Sequence, residues 1–177
     1  GVKGVSGVAA RGGGAVGMPR AVDVAVGLIA NCRVGGITGV FMAVFPVDWQ
    51  LTDTDFIVAH IHYVLMGGSV FTIFAGIYYW FPKMTGRMLN ESVGKKSFWL
   101  MFIGFNMTFF VQHALGLSGM PRRIYTYHPG LGWSTTNLIS TIGSFIIATG
   151  ILVTIGNVTW SRKPGQSGGP DPAHGHR

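Results

Sequence analysis

Apolar residues form long uninterrupted stretches in this chain, and charged residues occur in short groups between them. Three stretches contain no Asp, Glu, Lys or Arg: Phe56–Phe81, Phe98–Leu117 and Leu138–Val158. A helix needs about 20 apolar residues to cross the ~30 Å hydrocarbon layer of a membrane, and each stretch reaches that length. The pattern therefore predicts three transmembrane helices.

A fourth apolar stretch, Val24–Pro46, carries Arg33 near its middle. An arginine at the centre of a span costs about 2.5–3.5 kcal/mol on insertion scales, so a helix here needs a partner for the guanidinium group. We predict a membrane helix at this position as well. The fold class is then all-α, a polytopic transmembrane helical bundle with about four membrane helices.

Composition and charge support a membrane protein and exclude several other classes. Charged residues make up 11% of the chain, although the net charge is +7, and a typical soluble domain carries about 25%. Nucleic-acid-binding proteins cluster basic residues on one face, whereas here they separate apolar runs, so we predict no nucleic-acid partner. Cys32 is the only cysteine, which excludes a disulfide within the chain and a thiolate metal cage.

The charges between the predicted helices indicate an orientation. Basic residues are concentrated in the N-terminal segment, the 82–97 loop and the C-terminal segment, and acidic residues in the 47–55 loop. Loops on the cytoplasmic side of a membrane carry an excess of Lys and Arg. We therefore predict that both termini are cytoplasmic.

Two histidines in the second predicted helix are the strongest candidates for chemistry. At 3.6 residues per turn, His60 and His62 point about 200° apart, so they cannot chelate one ion. Ionisable residues inside a membrane are usually functional, and imidazole is a common axial ligand of haem iron. The pair is consistent with two haems on opposite sides of one helix, with a proton relay in a transporter or channel, or with hydrogen bonds to neighbouring helices.

An adjacent arginine pair, Arg122 and Arg123, lies in a predicted outer loop, at the same end of the bundle as the two histidines. Arginine binds carboxylates and phosphates through charge-assisted, often bidentate bonds. The pair is therefore either a clamp for a buried anion, such as a haem propionate, or two solvated surface residues.

Three motifs occur in a specific order and spacing: GGITGV at 35–40, AHIHYVL at 59–65 and GMPRR at 119–123. With them, the chain from about Gly35 to Trp160 resembles the C-terminal part of subunit I of haem–copper terminal oxidases of the cytochrome c oxidase type. The resemblance implies that its helices are about four of a larger, twelve-helix-type subunit.

The resemblance implies a role for each candidate residue. His60 matches the axial ligand of the high-spin haem iron, which faces copper in the catalytic site, and His62 matches an axial ligand of the low-spin haem iron. Arg122 and Arg123 match the pair that binds haem propionates, and Asp48 matches an acidic position near them.

A metal ligand is also implied, but with an incomplete motif. Asp53 matches the aspartate of a His-Asp pair that binds a magnesium-type ion, yet Thr52 stands where the family has the histidine. The implied copper ligands lie upstream of this chain, so we expect the chain to be a fragment that is inactive alone.

The resemblance divides the chain into three parts. Residues 1–34 form a poorly matched N-terminal segment that includes the start of the first helix. Residues 35–160 form the C-terminal transmembrane region of an oxidase subunit I. Residues 161–177, rich in Pro, Gly and Ser, predict a disordered cytoplasmic tail.

The implied function is that of an oxidoreductase and translocase of the respiratory chain. The complete enzyme would bind two haems of the A type and copper, reduce O2 to water with electrons from cytochrome c or a quinol, and pump protons. It would assemble with oxidase subunits II and III in a bacterial plasma membrane. The alternative is a membrane transporter or channel in which the paired histidines relay protons, and that alternative predicts no bound haem.

Overall fold

The computed structural model describes residues 19–161, with side chains from residue 26 onward. The predicted tail from residue 162 and the first 18 residues of the N-terminal segment lie outside this range. Regular secondary structure within it is helical throughout, apart from one isolated β-bridge. The helices are α1 (Pro19–Met42), α2 (Phe45–Leu51), α3 (Asp55–Thr85), α4 (Glu91–Leu117) and α5 (Trp133–Ser161).

Helices α3, α4 and α5 are long and apolar enough to cross a membrane. Helices α1 and α2 together form a fourth candidate, but they are bent relative to each other by 104°. The first predicted span, expected to run to Pro46, instead ends at Met42. Pro46 lies in the first turn of α2, where its missing N–H group costs no hydrogen bond. The predicted all-helical membrane bundle is confirmed.

Helix α4 begins seven residues before the predicted span because of a capping residue rather than hydrophobicity. The side chain of Asn90 accepts a hydrogen bond from the backbone N–H of Val93 at 3.2 Å, as N-cap residues do. Lys95 and Lys96 therefore lie on an exposed first part of the helix. Apolar stretches predict where a helix crosses a membrane, whereas caps decide where it starts.

Helices α4 and α5 pack closely along their length. A Cβ atom on Gly143 would lie 2.8 Å from the backbone nitrogen of Thr108, and one on Gly104 would lie 2.8 Å from that of Ile147. The Ser97 hydroxyl donates to the carbonyl oxygen of Gly150 at 2.9 Å. Small residues at such a seam let two helix backbones approach each other directly.

The two ends of the bundle are joined differently. At one end, Thr54 before α3 forms a β-bridge with Pro121 after α4. At the other end, the Asn157 side chain exchanges hydrogen bonds of 3.2 and 3.1 Å with the backbone N–H and C=O of Asn90. The 52–54 and 118–132 loops therefore share one end, which we call the outer end after the side on which the charge pattern places these loops.

Helices α3 and α4 each contain one π-helical turn, Met66–Val70 and Asn106–Phe110. The hydroxyl of Tyr63, which is fully buried, donates to Asn106 Oδ1 at 2.7 Å. This bond connects the two helices on the face of α3 between its two histidines.

Candidate functional site

His60 lies on the side of α3 that faces α1. Its Nδ1 atom is 3.0 Å from the Thr38 hydroxyl oxygen, and that hydroxyl lies 2.9 Å from the carbonyl oxygen of Val34. The hydroxyl has a single hydrogen, and when that hydrogen is donated to a carbonyl the hydroxyl oxygen accepts a hydrogen bond from Nδ1–H. The Nε2 atom then carries the free lone pair of a neutral imidazole.

A glycine makes room for this ring on α1. A Cβ atom on Gly39 would lie 2.9 Å from Cε1 of His60, closer than carbon atoms approach without repulsion. Any side chain at position 39 would therefore displace the imidazole or separate the two helices. Gly39 sets how closely His60 lies against α1.

His62 is oriented by different partners. Its Nδ1 atom lies 2.7 Å from the carbonyl oxygen of Val58, one turn earlier in α3, so Nδ1 carries the hydrogen. The ring stacks on Phe109 of α4, with centroids 4.1 Å apart and planes 14° apart. As in His60, Nε2 is left as the acceptor.

The two imidazoles fit the requirements of a haem-iron ligand. A ligating histidine binds metal through one nitrogen and donates its other ring N–H to a carbonyl or similar acceptor, which orients the ring. His62 meets this condition, and His60 meets it when its Nδ1–H donates to Thr38; the two rings contact different helices, α4 and α1. Between them Ile61 is 41% exposed, so the face of α3 that lies between the two histidines is open.

Arg122 is held at the outer end by side-chain and backbone contacts. Its guanidinium group forms an ion pair with the Asp53 carboxylate. Its backbone N–H donates to the carbonyl oxygen of Asp53 at 2.9 Å, and the Asp55 N–H donates to that of Met120 at 3.0 Å. Since His60 and His62 follow Asp55 by five and seven residues, they lie about 8–11 Å along the helix axis from this junction.

The other candidate residues of the outer end are not gathered around Arg122. Arg123 is exposed and has a φ angle of 66°. Asp48 lies on α2, where Oδ1 accepts a hydrogen bond from the Thr52 hydroxyl at 3.4 Å. The structure therefore brings Arg122 to Asp53 and leaves Arg123 and Asp48 outside that pair.

The magnesium site implied by the resemblance is not formed by this chain's own donors. The Asp53 carboxylate is paired with Arg122, and the Thr52 hydroxyl is directed to Asp48. Among the side chains that the structure describes, from residue 26 to residue 161, no group of three or more His, Cys, Asp or Glu could hold a metal ion. The donor set therefore does not fit the ion at this position.

Some residues of the site are not apparent in the sequence. Thr38 and Gly39 belong to the GGITGV motif, but their role toward His60 depends on how α1 and α3 pack. Phe109 belongs to a phenylalanine-rich stretch of α4, and the structure places it against His62. His113 is buried edge-on against Phe56, with ring centroids 4.9 Å apart.

Comparison with known proteins identifies a family. The family model described as Cytochrome C and Quinol oxidase polypeptide I matches residues 1–146, a range that includes residues 1–34. The chain is 50% identical over 165 residues to cytochrome c oxidase subunit 1 of Bacillus subtilis (strain 168), covering 93% of this chain and 26% of the relative. It is 51% identical over 137 residues to quinol oxidase subunit 1 of the same strain, covering 77% and 21%.

Solved structures agree on the fold. A haem–copper terminal oxidase dimer determined by cryo-EM matches with a TM-score of 0.68 at 19% identity, covering 85% of this chain and 29% of that chain. The chain thus spans roughly a quarter of the length of the relatives that it matches. The family match extends over most of the chain and includes both histidines and the arginine pair, and the chain therefore belongs to the cytochrome c and quinol oxidase polypeptide I family.

Proposed function

We propose that this chain is part of the catalytic subunit of a proton-pumping respiratory terminal oxidase that reduces O2 to water. The observation that carries the proposal is the arrangement of His60 and His62. In each ring Nδ1 has a hydrogen-bond partner within the bundle, and the two rings contact different helices. A proton relay does not require that the two rings be held in this way on two separate sides of the helix.

His60 would bind the high-spin haem iron and His62 the low-spin haem iron. When bound, the two haems, of the A type, and copper held by upstream residues supply the electron transfer and the oxygen chemistry. The hydrogen bonds to Thr38 and Val58 would hold the two rings in place and make Nε2 a better electron-pair donor to iron. Phe109 limits rotation of His62, and Gly39 lets His60 lie close to α1.

Arg122 and Arg123 would bind haem propionates at the outer end, with Asp48 near them. A guanidinium group has five N–H donors, so Arg122 can hold Asp53 and still offer donors to a second carboxylate. A cation beside a propionate offsets its negative charge and so favours the reduced, less positive iron.

The assembly and the electron donor follow from the family. We propose association with oxidase subunits II and III, with cytochrome c as the donor and a quinol as the alternative. The relatives named as cytochrome c oxidases and as quinol oxidases are 50% and 51% identical to this chain, so identity does not separate the two donors. The cytochrome c oxidase match covers more of the chain, which supports the first choice.

The proposed function is tested by measuring, in the complete subunit, which haem is lost when each histidine is replaced. His62→Ala should remove the low-spin haem spectrum while the high-spin haem still binds carbon monoxide. His60→Ala should abolish the carbon monoxide spectrum and O2 reduction while the low-spin signal remains. Ile61→Ala, between them, is the matched control and should retain both signals.

Two outcomes would contradict this assignment. If both histidine variants lost the same haem, the two-sided arrangement would be wrong. If neither variant lost a haem, the histidines would have no ligand role, and a proton relay in a transporter or channel would become the better explanation.

We also propose a bacterial plasma membrane location with the termini on the cytoplasmic side. In a chain with Cys32→Ser, Pro129→Cys at the outer end should react with a membrane-impermeant thiol reagent from outside, and Lys95→Cys at the other end should not. Equal labelling of both positions in intact cells would refute the orientation.

A further inference from the structure

The outer end of the bundle contains a junction between two loops that are about 70 residues apart in the sequence. Thr54 and Pro121 form a β-bridge, and backbone hydrogen bonds flank it on both sides, Arg122 N–H to Asp53 and Asp55 N–H to Met120. The Asp53–Arg122 ion pair links the side chains at one edge of this bridge. A backbone hydrogen bond and the side-chain ion pair therefore both join Asp53 to Arg122.

The backbone at Asp53 is shaped for this contact. Its φ angle is 63°, in the left-handed region that few residues other than Gly, Asn and Asp enter readily. This conformation presents both the carbonyl oxygen and the carboxylate of Asp53 to Arg122. Asparagine also tolerates it, so Asp53→Asn removes the charge while keeping the backbone conformation available.

The two partners differ in exposure. The side chain of Asp53 is 69% exposed, whereas that of Arg122 is 29% exposed. Ion pairs with an exposed partner contribute little to stability. The main effect of the ion pair is therefore to orient the half-buried guanidinium group of Arg122, whose remaining N–H donors can bind another group.

We propose that Asp53 is a positioning residue for Arg122, and that this ion pair takes the structural place of the metal ion that a His-Asp motif would bind. The guanidinium group supplies the positive charge between the two loops that a divalent cation would otherwise supply. With Thr52 in place of a histidine, the motif lacks the neutral nitrogen donor and retains the carboxylate. The effect on haem described below rests on the proposed function, whereas the junction itself does not.

The first test asks whether Asp53 binds metal, with Mn²⁺ as the probe. The complete oxidase complex is purified from cells grown with Mn²⁺, dialysed against EDTA and examined by electron paramagnetic resonance. We expect no stoichiometric Mn²⁺ that depends on Asp53. One bound Mn²⁺ per enzyme in the unaltered complex that is lost in Asp53→Asn would overturn the proposal.

The second test measures the junction directly, without reference to haem. Hydrogen–deuterium exchange of the 118–124 segment should become several-fold faster in Asp53→Asn, because the loop loses its side-chain anchor. Asp55→Asn is the matched control, since Asp55 joins the junction through its backbone, and it should leave exchange in this segment unchanged. Unchanged exchange in Asp53→Asn would overturn the proposal.

The third test connects the junction to function through a double-mutant cycle on the midpoint potential of the low-spin haem. Arg122→Ala should lower the potential, and Asp53→Asn should raise it. If Asp53 acts through Arg122, its effect should be much smaller in the Arg122→Ala background. Equal effects in both backgrounds would show a plain charge effect and overturn the positioning role. If exchange is faster in Asp53→Asn but the potential is unchanged in Arg122→Ala, the propionate role in the proposed function is contradicted. The proposed junction between the two loops is then still supported.

Discussion

Two regions of the chain differ in how far its own residues bury their side chains. They are the seam between α4 and α5 and the part of α3 that carries His60 and His62. At the seam, glycine backbones and buried hydroxyl groups meet directly, and Ser97 and Thr154 are both almost fully buried. Around His60 and His62, by contrast, large apolar side chains such as Val64 and Leu65 remain exposed. The residues at the seam are buried by α4 and α5 themselves, whereas the region around the histidines leaves apolar side chains exposed.

This difference is expected if the chain is a part of a larger subunit. A helix pair that is neighbouring in sequence can pack without further elements, as α4 and α5 do. A cofactor site between helices needs walls on every side, and the proposed haems would use elements beyond the quarter of the relatives' length that this chain spans. Changes at the seam should therefore affect folding, and changes around the histidines should affect cofactor binding.

The largest expected effect is at the seam. Gly143→Val would place its Cβ atom 2.8 Å from the backbone nitrogen of Thr108 and 2.9 Å from the carbonyl oxygen of Gly104. A backbone atom can move only together with the rest of its helix. The loss of folding free energy should therefore reach or exceed the upper end of the roughly 1–3 kcal/mol typical of overpacking. We expect no assembled oxidase, with both haem spectra lost and subunit I degraded on immunoblots.

The control for the seam is on the same helix. Gly156 has open space within 4 Å of its Cβ position, so Gly156→Val should assemble normally and retain both spectra. Normal assembly of Gly143→Val would show that the two helices do not pack as described.

A smaller and selective effect is expected where α1 meets His60. Gly39→Ala would place a methyl group 2.9 Å from Cε1 of the ring, displacing the imidazole and weakening its proposed bond to iron by about 1–3 kcal/mol. Carbon monoxide binding should decrease several-fold while the low-spin spectrum is retained. Gly36→Ala, with nothing within 4 Å, should change neither, and an equal loss of both haems in Gly39→Ala would argue against a role specific to His60.

The smallest effect is expected between the two histidine faces. Tyr63→Phe removes the hydrogen bond to Asn106 Oδ1 but keeps the ring packed against Phe105. The loss should be about 0.5–1.5 kcal/mol, measured as a lower thermal denaturation temperature of the complex with both haem spectra intact. A change in either haem spectrum would mean that this bond also orients a histidine.

Prediction from the sequence succeeds where long apolar stretches decide the structure. α3, α4 and α5 lie where charge-free runs predict them, because a span of about 20 apolar residues in a membrane has one stable conformation, the helix. It is less accurate at helix ends. The cap at Asn90 and the turn between Met42 and Phe45 depend on single residues, whose effect the hydropathy pattern does not contain.

The sequence by itself determined the order of the three long apolar helices and the separate directions of His60 and His62, since both follow from helix geometry and from residues close together in the chain. Only the tertiary structure decided which residue lies beside Nδ1 of His60, which ring stacks on His62 and which carboxylate pairs with Arg122. Those features depend on contacts between Thr38 and His60, His62 and Phe109, and Asp53 and Arg122. Such partners are separated by tens of residues, and they meet only because the helices pack in one particular arrangement.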